Sequence, residues 1–194
     1  MEGIIMMAFS VALLCMAFTA SDVRSATLVV AAADSSEKSS AGADYVCDGQ
    51  GDQEQINAAI AALPPAGGTV LLAEGTYDMR RAGEKLGCVM IERSNLTLAG
   101  QGAATKLVLA PKQNINVVRI VGDGVSNVTV RDLYIDGNRA QNDQPRTESG
   151  ERFEVCGIKA WHRAPEDGEG DPVSNITVRH CYVYNAQRLG CMLY

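Results

Sequence analysis

The chain predicts an all-β solenoid, a parallel β-helix preceded by a capping helix and a short β/α lead-in. Three observations carry that reading. First, one motif recurs: "SNLTLAGQG" at 94–102, "SNVTVRDLYIDGN" at 126–138 and "SNITVRHCYVYNA" at 174–186. Second, the apolar positions inside one copy, 128, 130, 133 and 135, are separated by steps of two, three and two. A flat strand keeps a step of two throughout, so the step of three reverses parity and demands a corner near Arg131-Asp132 and again near Arg179-His180. Two short strands joined by a corner, then repeated with matching residues, describe successive coils of a solenoid. Third, the composition suits many short strands with tight turns. Apolar residues make up 46% but aromatics only 5%, and there are 19 glycines.

The elements follow in order. "MEGIIMMAFSVALLCMAFTA" opens a segment, 1–26, that reads as a signal peptide or N-terminal anchor. Its apolar stretch Ile4 to Phe18 is too short for a comfortable membrane span, and small residues at Ala20 and Ala26 offer cleavage sites. A secreted or cell-surface protein with no span beyond this segment is expected. Residues 27–47 form the lead-in. It consists of a strand in "ATLVVAAA", a short helix in "DSSEKSSAGA" with Asp34 or Ser35 as N-cap and Gly42 as stop, and a strand in "DYVC". Coils are expected over 48–194. After the acidic loop "DGQGD", a helix runs from Asp52 to Leu63, with Asp52 and Gln55 in capping-box spacing. Ile56, Ala59, Ile60 and Leu63 form its apolar stripe, which would cover the open end of the first coil, and Pro64-Pro65 ends it. "TVLLAEGTY" is then read as one strand closed by Gly75. Short strands fill the rest, at 89–91, 96–99, 106–109, 117–121, 128–130, 133–135, 157–161, 176–178, 181–183 and 190–193. The longest polar loops lie in 138–172.

Charge and cysteine content exclude several functions. The net charge is −6 and no run of Lys or Arg exceeds two, which argues against a nucleic-acid surface. An acidic polymer would need a local basic patch or a bridging cation. Removing Cys15 with a signal leaves Cys47, Cys88, Cys156, Cys181 and Cys191, an odd number, and Cys181 reads first as a small core residue. With no CxxC and two histidines, a zinc site is not expected. In "EDGEGD", Asp167, Glu169 and Asp171 alternate, which suits either a solvated acidic loop or a Ca2+ site. "GQGAAT" lacks the third Gly of a dinucleotide fingerprint and reads as a turn. Asn95, Asn127 and Asn175 are glycosylation sequons, but their place at repeat corners favours an inward-stacked asparagine ladder.

One outward strip has chemical content. Tyr134 and Tyr182 recur on adjacent coils, Arg131 and Arg179 precede them, Asp132 and His180 occupy the corner, and Asp136 and Tyr184 follow. Aromatic faces stack on pyranose rings and Arg pairs with a uronate carboxylate, so the strip is either sugar-facing or an ordinary outer ladder. Trp161, at a strand end before a long loop, is a further candidate for sugar contact.

"DGQGDQEQINAAIAALPPAGGTVLLAEGTY", 48–77, resembles the opening module of the pectin-lyase-like superfamily. The resemblance extends over about residues 44–193 and implies that the coils wind right-handed. It further implies an exported protein that binds or processes polysaccharide, in the manner of pectate lyases, or a non-catalytic surface or adhesion protein. Lyase chemistry neutralises a uronate carboxylate and removes the neighbouring C5 proton, often with Ca2+ and an Arg or Lys base. Asp132, Asp136, Arg179, His180 and Arg188 are the groups available for it. The Gly-His-Gly of polygalacturonases is absent, and where epimerases of the superfamily carry Asp-Pro-His, Asp171-Pro172 is followed by Val173. No carboxylate ladder forms, because Asp136 is matched by Tyr184 and Asp132 by His180. The ending "RLGCMLY" lies within an apolar strand, so an incomplete helix, or self-association through an uncapped coil, is expected.

Overall fold

A computed structural model of the chain describes residues 26–142, 155–161 and 170–194. These residues are mostly β, with few helices, and all of their strand pairings are parallel. The larger sheet contains β1 (Ala26–Ala31), β2 (Tyr45–Val46), β3 (Gly68–Leu72), β6 (Leu96–Leu109), β8 (Ser126–Asp136) and β10 (Ser174–Arg179), in the order β10-β8-β6-β3-β1-β2. β4 (Gly75–Met79) pairs with β6, and β11 (Tyr182–Tyr184) with β8. The second sheet runs β12 (Cys191–Leu193), β9 (Ile158–Ala160), β7 (Asn116–Ile120), β5 (Gly87–Ile91).

The repeat stacks as its spacing requires. Val178 lies opposite Val130, Tyr182 opposite Tyr134 and Val183 opposite Ile135. Thr27, Thr69, Thr97, Thr129 and Thr177 form one in-register column. Val128, Val130, Leu133 and Ile135 are buried, with Val178, Cys181 and Val183 packed partly buried against the same core. Cys181 behaves as the small core residue expected, its thiol reaching the Val130 carbonyl at 3.6 Å. No disulfide joins any of the five cysteines among the described residues, and burial pushes the Cys47 thiol up to about 12.

Corners are made by residues in the left-handed region. Asp132 has φ 55° and His180 φ 52°, at the two sites where the apolar step changes from two to three. At Asp132 one residue absorbs the turn, and 128–130 and 133–135 join within β8, whereas the same corner at His180 separates β10 from β11. The segments 96–99 and 106–109 join within β6 across register shifts at Ala99/Gly102 and Gly102/Lys106. The reverse correction applies to "TVLLAEGTY", which splits into β3 and β4 at Gly75 (φ 136°). A Cβ at Gly75 would lie 2.5 Å from Asp34 Oδ1, so the tight bend needs a glycine.

Asn95, Asn127 and Asn175 also take positive φ, at 59°, 57° and 48°. Their amides form the expected ladder: Asn127 Nδ2 donates to Asn95 Oδ1 at 2.9 Å and Asn175 Nδ2 to Asn127 Oδ1 at 2.6 Å. The ladder lies on the exposed surface, however, and does not point inward. A left-handed residue turns its side chain away from the core while the flanking Leu96, Val128 and Ile176 face it.

Two helices complete the architecture. α1 (Glu37–Ala41) is N-capped by Ser36, which accepts from Ser39 N. The expected caps serve elsewhere, Asp34 accepting from Thr76 N and Ser35 from Ala32 N. α2 (Gln53–Ala62) buries Ile56, Ala59 and Ile60. It also satisfies the edge strand β5, since the Asn57 amide donates to Cys88 O and accepts from Met90 N, each at 2.9 Å. The Arg93 guanidinium donates to the carbonyls of Ile60, Leu63 and Pro64 at the helix C-terminus. The capping box does not form. Asp52 makes no side-chain cap and Gln55 Oε1 has no partner. Asp52 is instead fully buried and accepts from Gly49 N at 2.9 Å and Asp78 N at 2.8 Å. Backbone donors on a neighbouring segment outcompete the local cap, and burial pushes this carboxyl up. Among the described residues, no helix is long and apolar enough to cross a membrane.

Asn127→Ala removes two ladder bonds and strains the left-handed backbone. It is expected to cost about 1–3 kcal/mol in urea melts. Asn127→Gly, which tolerates the same φ, should cost about 1 kcal/mol less. Equal melts for Ala and parent would contradict this account of the corner.

Candidate functional site

The structure brings most of the predicted strip together on the outer side of β8, β10 and β11. Side chains there alternate between the core and solvent, and the corner residues carry the outward parity around the turn. The rings of Tyr134 and Tyr182 stack at 5.1 Å between centroids, inclined by 23°. Tyr184 joins them, 6.2 Å from Tyr182 at 20°. Tyr182 is 59% and Tyr184 45% exposed, both on the outward side of the last coil described. Arg131 and Arg179 are in register on adjacent strands.

Asp132 links the corners. It accepts from Arg131 Nη1 at 2.5 Å, and His180 Nδ1 lies 3.1 Å from its other oxygen. The Arg131 guanidinium, followed by His180, holds the Asp132 carboxyl below the usual carboxylate range. Asp136 is committed to a turn, accepting from Asn138 N at 2.8 Å. Its register partner is Tyr184, so the carboxylate ladder is absent in the structure too. Arg188 lies apart, on the segment leading to β12, with its N–H bonded to Val155 O.

The remaining predicted positions are dispersed. Asp171 is exposed, its N–H donating to Asp123 Oδ1 and its carbonyl accepting from Gly124 N. Asp167 and Glu169, the other members of the Ca2+ candidate, lie outside the described residues. Among the described residues, no group of three His, Cys, Asp or Glu is placed to hold a metal ion.

Trp161 belongs to a different face, which sequence reasoning did not assemble. Met90, Arg119, Lys159 and Met192 form one in-register column on β5, β7, β9 and β12. Arg119 is 6% and Lys159 4% exposed. The Lys159 ammonium sits 4.6 Å from the centroid of the half-buried Trp161 ring. Two such cations in adjacent strands of an apolar sheet require anionic or aromatic company. The signal was present: "NVVRI" and "GIKAW" each carry one cation at matching places in an apolar run. It lay in strands that share no motif with the Ser-Asn-x-Thr repeat.

The class defined by these features is a mostly β protein of stacked, in-register parallel strands, with a cationic column on one sheet and an aromatic strip on the other. No protein-family description matches the chain. It is similar to two curated proteins of Azotobacter vinelandii. To mannuronan C5-epimerase AlgE6 it is 35% identical over 139 residues, 68% of this chain and 14% of that protein. To mannuronan C5-epimerase AlgE4 it is 41% identical over 95 residues, 45% of this chain and 17% of that protein. Among solved structures, the A-module of AlgE6 matches with a TM-score of 0.54 at 35% identity, over 69% of this chain and 34% of the module. The curated relatives are mannuronan C5-epimerases, and the matching solved structure is the A-module of one of them. The chain thus spans about one seventh of the length of AlgE6 and one sixth of that of AlgE4.

The sign of the Asp132 shift sets a pH expectation. A depressed folded-state value means stabilisation that is full above about pH 4, the ordinary unfolded value, and lost as pH falls through the lower folded value. Asp132→Asn should therefore melt with a shallower loss of Tm than the parent below about pH 4. Identical acid slopes for the two would contradict the Arg131–Asp132–His180 linkage.

Proposed function

We propose that the chain builds coils of a right-handed parallel β-helix, closed along β5 by α2, that binds and processes a uronate polysaccharide of the mannuronan class. An exported or cell-surface location fits that role. The likeness to mannuronan C5-epimerases supports the substrate class. The single observation that carries the reading on the molecule itself is the Arg119–Lys159 column beside Trp161.

The chemistry is common to lyases and epimerases of uronates. A cation must neutralise the carboxylate so that the C5 proton becomes acidic enough to leave. Lys159 and Arg119 supply that charge, with their interactions strengthened by burial. The Trp161 ring supplies a face for the pyranose to stack on. Removal of the C5 proton followed by its return on the opposite face inverts the sugar, whereas loss of the C4 oxygen gives an unsaturated product. His162 and His180 are the only histidines, and neither follows Asp-Pro. Carboxylate neutralisation and stacking are therefore the roles assigned to these residues, and no proton-transfer role is assigned.

Binding of the purified chain to mannuronan and to neutral mannan tests the proposal. Mannuronan should be retained and mannan should not. Lys159→Ala and Trp161→Ala should each weaken mannuronan binding by roughly tenfold, in line with about 1–2 kcal/mol for a desolvated cation–π or charge contact. Absorbance of unsaturated sugar, with and without chelator, separates lyase activity from inversion, which NMR detects. Equal binding of the two polymers, or unchanged binding by both variants, would overturn the proposal.

A further inference from the structure

We infer that the outer face of β8, β10 and β11 is a second, auxiliary contact for the same anionic polysaccharide, separate from the Lys159–Trp161 face. The inference rests on the proposed substrate class and extends it to a different sheet. Four observations converge on it. Tyr182 and Tyr184 expose 59% and 45% of their surface, and with Tyr134 they form a continuous three-ring patch. Strand parity turns these rings outward, since the partly buried Cys181 and Val183 take the inward positions of the same segment. The Arg179 side chain is exposed, and its guanidinium has no hydrogen-bond or ion-pair partner among the described residues. Its register partner Arg131 is paired with Asp132, which leaves the Arg179 guanidinium for a ligand.

The occupant follows from chemistry and spacing. A neutral sugar would use the rings alone, whereas the unpartnered Arg179 guanidinium selects a carboxylate-bearing one. Register places the Arg and Tyr pairs on adjacent strands, about 4.8 Å apart. That is close to the length one pyranose adds to an extended 1,4-linked chain, so consecutive uronates can meet consecutive coils. The strip lies on the larger sheet and the Lys159 column on the second sheet. A short oligosaccharide engages one face at a time, while a long polymer can engage both. The second contact then raises apparent affinity through effective concentration.

Affinity for long mannuronan and for a short oligomannuronate is to be measured on the full chain and on Arg179→Ala, Tyr182→Ala and Tyr184→Ala. These side chains are exposed, and circular dichroism checks that each variant folds. Long-chain affinity should fall roughly tenfold or more in each variant, with short-chain affinity unchanged. Unchanged long-chain affinity in all three would overturn the inference. So would an equal loss for both probes, because the strip would then not be a separate contact. If the parent failed to bind the short probe, the Lys159–Trp161 reading would fail by itself. Loss of long-chain binding in Tyr182→Ala would still support the strip.

Discussion

The whole arrangement depends on a single backbone constraint, a left-handed residue at each coil corner. Asp132 and His180 turn the chain between its consecutive straight segments, and Asn95, Asn127 and Asn175 turn it two residues before Thr97, Thr129 and Thr177. Left-handed backbone is costly for most residues and least so for Gly, Asn and Asp. One residue there reverses side-chain parity while the next segment resumes pairing in register. The chain then re-enters the same register with its apolar residues still facing inward. Every column described above, core or surface, is a consequence of that return.

Much of this was legible in the sequence because the constraint leaves a local trace. The two-three-two spacing located the corners at Arg131-Asp132 and Arg179-His180, and matching residues predicted that Val178 stacks on Val130. What was not legible depended on groups distant in sequence. Asp52 appeared to be a helix cap, but the N–H of Asp78 and that of Gly49 claim its carboxylate. The asparagine ladder was foreseen while its orientation was not, since parity at a left-handed position cannot be counted from neighbours. The Arg119–Lys159 column escaped notice because its strands are 40 residues apart and share no signature beyond one cation in an apolar run.

Electrostatics gives the surface its character. The chain carries a net charge of −6, which taken as a whole would repel a polyanion. Stacking overrides that average locally. In-register coils place Arg131 beside Arg179 and Arg119 beside Lys159, so two cationic patches, the second of them buried, arise on different sheets of an acidic protein. Both patches lie next to aromatic rings, which is the combination a charged sugar requires. The link from sequence to function therefore runs through register. A slip of one residue would turn each of these side chains to the opposite face.

Register is accordingly the central claim, and cross-linking tests it most directly. Thr129 and Thr177 are register partners, so their Cα atoms lie about 4.8 Å apart, within disulfide range. In Thr129→Cys/Thr177→Cys, mild oxidation should join the two positions, as read by peptide mass spectrometry. Thr177→Cys combined with Val130→Cys, whose side chain faces the core, should not join. Cross-linking of the second pair in place of the first would contradict the parallel, in-register stacking on which the two faces rest.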